Sequence, residues 1–100
     1  MKNKMLLAMF CILSLGLNAA SIKGKVLDRN DNENLTGVKI SFINTKSYSC
    51  YDVYSDFDGN YELNVPTGDY IVTLYSISYE PIRTYVLISS DFNYNFKLSK

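Results

Sequence analysis

The sequence predicts an all-β fold: a seven-stranded antiparallel Greek-key β-sandwich that follows a cleavable leader. Three observations carry this. Apolar and polar residues alternate with a period of two from position 21 onward. No window shows the three-to-four spacing of an amphipathic helix. Clusters of Asp, Asn, Gly and Pro cut the alternating stretches into strand-length pieces.

The first element is the leader. Residues 1–4 carry two lysines, residues 5–17 form an apolar run, and Asn18, Ala19 and Ala20 supply small side chains before Ser21. This is the layout of a secretory signal peptide, and the run is shorter than the roughly 20 apolar residues that span a bilayer. It has no amphipathic face to present to a core. The expected organisation is therefore a signal peptide over 1–20 and one domain over 21–100. Cys11 falls inside the leader, and the bulky Met9 and Phe10 before it are a poor context for lipid attachment. Cys50 is then the only cysteine of the processed chain and has no internal disulfide partner. It is expected either as a small apolar core residue or as one half of an intermolecular disulfide.

The strands follow in order. Ile22, Gly24 and Val26 share one face of the first, with Lys23 and Lys25 opposite. Residues 28–34, DRNDNEN, are polar and turn-rich and read as a loop. Gly37 opens a second strand in which Val38, Ile40 and Phe42 alternate with Lys39 and Ser41. In the third, over 48–55, Tyr51 and Val53 compete with Cys50 and Tyr54 for the core side. Tyr61, Leu63 and Val65 mark the fourth strand; Tyr70, Val72 and Leu74 mark the fifth. Pro81 confines the sixth, 82–88, to an edge or to a strand that begins there. In the seventh, Phe92, Tyr94, Phe96 and Leu98 alternate with Asn93, Asn95 and Lys97. Short strands with one apolar face each fit two sheets packed face to face.

The turn residues have conformational work to do. Asp56 and Asp58 can bond their own backbone, and Gly59 can take positive φ, so residues 56–59 read as a tight hairpin connection between the third and fourth strands. Pro66 and Gly68 set the turn into the fifth strand. Tyr70, two residues on, fits a tyrosine corner, in which the ring packs inward and the hydroxyl bonds the turn upstream.

Several function classes are excluded. Asp56, Asp58 and Asn60 place oxygens on alternate residues, but an EF-hand needs glycine sixth and glutamate twelfth. Counted from Asp56, glycine is fourth and Thr67 is twelfth. No metal or other cofactor is expected. The chain has no histidine, so Cys50 lacks the usual base, and a carboxylate pair at a turn tip would be solvated. No catalytic residue is nominated and the chain is expected not to be an enzyme. Ten basic residues balance ten acidic ones; removing Lys2 and Lys4 with the leader leaves eight against ten, a net of −2, with no basic run for nucleic acid.

Across residues 21–80 the segments IKGKVLD, LTGVKISFINT and YSDFDGNYELNVPTGDYIVTLYSISYE resemble the carboxypeptidase regulatory-like domain, a transthyretin-like sandwich. The family landmarks correspond to Ile22, Gly24 and Val26; to Gly37, Val38 and Ile40; to Ser55, Asp56, Gly59 and Tyr61; and to Pro66, Gly68 and Tyr70. Ser78-Tyr79 stands where the family often has Gly-Tyr. The resemblance implies a domain that usually accompanies a peptidase or an outer-membrane receptor, and it transfers neither activity. A related hydrolase of the same fold relies on histidines, and this chain has none.

The functional expectation is an exported module located in the periplasm, at the outer membrane or outside the cell. It would act as a structural or interaction partner of another envelope or secreted protein, with no nucleic acid and no membrane span in the processed chain. The alternative is glycan binding through Tyr48, Tyr54, Tyr75 and Tyr85, the rings that alternation assigns least firmly to the core. Tyrosine is also favoured on half-exposed strand surfaces.

Overall fold

The structure, a computed structural model, describes residues 19–100. The leader expected over 1–20, and Cys11 with it, lies outside the described residues apart from Ala19 and Ala20, which open the first strand. Eight strands follow: β1 Ala19–Asp28, β2 Lys39–Asn44, β3 Cys50–Tyr54, β4 Asn60–Pro66, β5 Gly68–Tyr75, β6 Ile82–Ile88, β7 Phe92–Asn93 and β8 Phe96–Leu98. In one sheet β1 is central, flanked by β4 on one side and by β7 and β8 on the other; the second sheet runs β3-β2-β5-β6.

Alternation is the force behind this arrangement. Ile22, Val26 and Val65 from the first sheet and Ile40, Phe42 and Val72 from the second are all at most 1% exposed and form the shared interior. Each such side chain contributes about 1.5–3 kcal/mol when fully buried. Tyr70 packs edge-on against Phe42, centroids 6.1 Å apart, a geometry that adds to simple area burial.

Three expectations are corrected. The seventh strand is two strands, because the chain swings inward at Tyr94 toward Gly24. A Cβ on Gly24 would collide with the Tyr94 carbonyl; the missing side chain makes room for backbone. Tyr94 N–H donates to Lys23 O (2.9 Å), and the Asn95 side-chain oxygen takes the Lys25 N–H (2.9 Å) that an unbroken ladder would have taken. Tyr94 is consequently 55% exposed rather than a core residue. Second, β7 and β8 pair with β1 in parallel, so the first sheet is mixed rather than antiparallel. Third, residues 56–59 are not a hairpin: β3 pairs with β2 and β4 with β1, so this turn carries the chain from one sheet to the other. The turn at Pro66 and Gly68 likewise passes from β4 in the first sheet to β5 in the second.

The two crossings leave the sandwich with unlike sides. On one, β3 and β4 lie together. On the other, β6 stands across from β7 and β8 with a cleft between them.

Candidate binding surfaces

Most polar side chains at the turns hold backbone. Asp56 Oδ1 accepts the N–H groups of both Asp58 and Asn60 (2.9 Å each), and Gly59 N–H donates to Asp56 O. Asp58 itself is exposed and offers its carbonyl to Lys25 Nζ at 3.3 Å. Gly59 has φ +78°, and a Cβ there would lie 3.0 Å from Val26 O and 3.1 Å from the Asn34 Cβ. Beside this turn the buried Ser55 hydroxyl donates to Leu35 O (2.7 Å) and accepts the Val38 N–H (2.9 Å), tying the entry of β2 to the exit of β3. At the second crossing Tyr70, fully buried, donates its hydroxyl to Pro66 O at 2.7 Å, and a Cβ on Gly68 would press on the Asn44 amide at 3.1 Å.

Two further polar contacts shift titrations. Tyr79 donates to Asp28 Oδ2 (2.7 Å), while Asp28 Oδ1 takes the N–H groups of Asn30 and Asp31. These bonds stabilise the carboxylate and lower the Asp28 pKa; the same bond from Tyr79 pushes the phenol up to about 12. Cys50 is exposed on the outer face of β3, which corrects its expectation as a core residue. Its thiol donates to Asp52 Oδ1 at 3.1 Å, and that bond to a carboxylate raises its pKa.

The four tyrosines nominated as a binding surface do not converge on one spot, although three share a face. Tyr54 of β3 and Tyr75 of β5 both pair with Lys39 of β2, so they flank it in one cross-strand row. Their Cα atoms are roughly 10 Å apart, two strand spacings. Tyr85 lies on the same outer face but in a different row, opposite Ile71. Tyr48 belongs to the β2–β3 turn, with φ +61°. All four are more than half exposed.

The cleft on the open side was not visible in the sequence. It has a volume of about 380 Å³. The buried Ile22 and Phe42 form its floor, Thr84 and Val86 of β6 one wall, and Phe92 and Phe96 the other. Arg29 and Lys97 stand at it as the cationic residues. Arg29 donates to Ser99 Oγ (3.0 Å) and Lys97 O (3.3 Å), both neutral acceptors. Along β6, Tyr85 and Leu87 point outward and are 74% and 70% exposed. A second, wider depression of about 740 Å³ carries both signs of charge, with Lys23 and Lys25 near Asp56 and Glu62. Sequence reasoning missed Arg29, Thr84, Leu87 and Lys97, since nothing local marks a residue as lining a gap between sheets.

No curated protein matches the chain by sequence. Among solved structures, a chlorocatechol 1,2-dioxygenase from Pseudomonas putida superposes with TM-score 0.71 at 11% identity, covering 83% of this chain and 61% of that one. The dioxygenase domain of a carbohydrate-binding fusion protein from Streptomyces sp. SirexAA-E gives TM-score 0.66 at 14% identity, over 81% of this chain and 79% of that one. The major pilin subunit of Bacillus cereus gives TM-score 0.67 at 15% identity, over 81% and 30%. This chain thus spans about three-fifths of the first of these relatives, and at such identities the likeness is one of fold. The family model described as CarboxypepD_reg-like domain matches residues 22–100. The landmark residues, the two-sheet architecture and this match agree, and the chain belongs to the CarboxypepD_reg-like domain family.

Proposed function

We propose that this chain is an exported, non-enzymatic interaction or structural module of the bacterial envelope, working by contact with another envelope or secreted protein. The observation that carries the reading is the concentration of exposed apolar side chains, Tyr85 and Leu87, on an edge strand beside a partly apolar cleft. Other exposed apolar side chains, such as Phe57 and Ile77, stand at turns; these two adjoin an apolar groove, the setting in which exposed apolar surface marks interaction sites. The carboxylates support the same reading, since Asp28, Asp31, Asp56 and Asp91 are each engaged by backbone amides of the scaffold. The activity of the dioxygenase relatives is not carried over, because the likeness extends to the fold alone. Export rests on the layout of residues 1–20.

The test is cross-linking of the tagged protein in intact cells, followed by identification of the adducts. The same envelope or secreted protein is expected in independent experiments. Adducts that vary from experiment to experiment, or none at all with a folded protein, would count decisively against the proposal.

A second reading is favoured by one feature: Tyr54 and Tyr75 flank Lys39 in a single row of a sheet face, an arrangement suited to stacking on an extended glycan. Retardation of the wild type in a glycan-containing gel, abolished in Tyr54→Ala and Tyr75→Ala, is its signature. Equal mobility with and without glycan removes it.

A further inference from the structure

We propose that the free edge of β6 and the adjoining cleft receive an extended strand from a partner polypeptide, apolar at alternate residues and carrying a carboxylate that meets Arg29 and Lys97. The inference rests on the interaction-module reading and gives it a location and a ligand chemistry.

The sheet edges differ in how well they are guarded. β4 presents Asn60, Glu62 and Asn64 on alternate residues and ends in Pro66. β3 is five residues long and carries Asp52, paired with Lys39 at 3.9 Å. Charge, proline and short length are the devices that stop an edge from recruiting another strand. β6 is seven residues long, has Arg83 as its single charge, and exposes Tyr85 and Leu87. Its β5 side is fully paired from Ile82 to Ile88, so the backbone groups of its other side face outward as a template.

The two faces of β6 call for the same occupant. Ile82, Thr84 and Val86 line the cleft, Tyr85 borders it while remaining 74% exposed, and Leu87 stands on the outer face. A strand added to this edge would send every second side chain inward toward Phe92 and Phe96. The intervening ones would lie beside Tyr85 and Leu87. A compact small molecule could fill the cleft but would leave the edge amides and the outer residues as they are. Main-chain bonding with alternate side chains in pockets is the general mode of strand addition.

Charge fixes the remaining feature of the ligand. Among the described residues the only ion pair is Lys39–Asp52, so Arg29 and Lys97, exposed residues that border the cleft, have no acidic partner. The nearby Asp28 carboxylate is occupied by Tyr79, Asn30 and Asp31. An Asp, Glu or terminal carboxylate on the incoming strand would complete them with charge-assisted bonds.

The test is selection of a displayed random-peptide library on the purified protein. Enriched peptides are expected to alternate apolar and polar residues and to carry an acidic group at one end. Synthetic copies should slow amide exchange in β6 and leave β3 and β4 unchanged. Lys97→Glu, a change to an exposed side chain, should weaken the acidic peptide about tenfold, equivalent to about 1.4 kcal/mol. A lysine-ended counterpart should recover the loss. No enrichment, enriched peptides without alternation, or protection at another surface would overturn the proposal. So would a second copy of the chain pairing through β6 in place of the peptide. If peptides fail while cellular cross-linking still yields a constant partner, strand addition is wrong and the interaction-module reading stands. If cross-linking also yields none, both fall.

Discussion

Replacing Gly24 with alanine puts the packing of the split C-terminal strand to a quantitative test. The new methyl would overlap the Tyr94 carbonyl oxygen and lie 2.6 Å from its carbon. Both are backbone atoms, so no rotamer change relieves the clash and the 94–95 segment must retreat from β1. Retreat breaks the Tyr94 N–H bond to Lys23 O and the Lys25 N–H bond to Asn95. It also strips the Tyr61 hydroxyl of its acceptor, Tyr94 O, at 2.6 Å. Tyr61 is 3% exposed, so that hydroxyl is left without a partner in the interior. Two net bonds at about 0.5–1.5 kcal/mol each, plus about 1–3 kcal/mol for the orphaned hydroxyl, outweigh the roughly 0.5–1 kcal/mol gained by removing a strand glycine. The expected loss is about 3 kcal/mol. Urea denaturation followed by tyrosine fluorescence measures it, with Tyr61→Phe and the double variant as companions. Because both changes act on the Tyr94 carbonyl, their costs should fall short of additivity. A Gly24→Ala protein within about 0.5 kcal/mol of wild type, the ordinary range for surface changes, would refute the reasoning.

The Tyr79–Asp28 bond makes stability pH-dependent at high pH. The Tyr79 phenol is raised to about 12 in the fold from about 10 in an unfolded chain. Its contribution is therefore intact below about pH 10 and is lost as pH rises through the folded value; Tyr79→Phe should make the fall shallower, leaving the share due to Tyr61 and Tyr70, whose phenols burial also raises, and an unchanged profile would contradict it. The Cys50 thiol, held up by Asp52, should react with a disulfide reagent at neutral pH more slowly than a thiol in an unstructured peptide, and Asp52→Asn should speed it. Equal rates in the two proteins would show that the bond does not control reactivity.

Much of the fold is legible in the sequence because its cause is local. Alternation places Ile40 and Phe42, Tyr61 and Val65, and Tyr70, Val72 and Leu74 on core faces, and Pro81 marks where β6 begins. The features that escape it have distant causes. Phe92, Tyr94, Phe96 and Leu98 alternate as a continuous strand would; the break comes from Gly24, on another strand. Asp56–Gly59 chemistry makes a tight turn whether the chain reverses within a sheet or crosses to the other one, so the turn is readable and its destination is not. The cleft has the same character, since it exists only because β6, β7 and β8 end up across from one another. Tyr85 illustrates the boundary: alternation marks it as weakly tied to the core, and only the register opposite Ile71 puts it on the β6 edge.

Amide hydrogen exchange across β6 in the purified protein at low concentration tests the central claim, that this strand is bonded on one side and open on the other. The amides directed at β5 should exchange slowly and those between them fast, giving an alternating pattern along Ile82–Ile88. Uniform slow exchange along the strand would mean that its outer edge is already covered, and uniform fast exchange that β6 is not held in the sheet; either result contradicts the account.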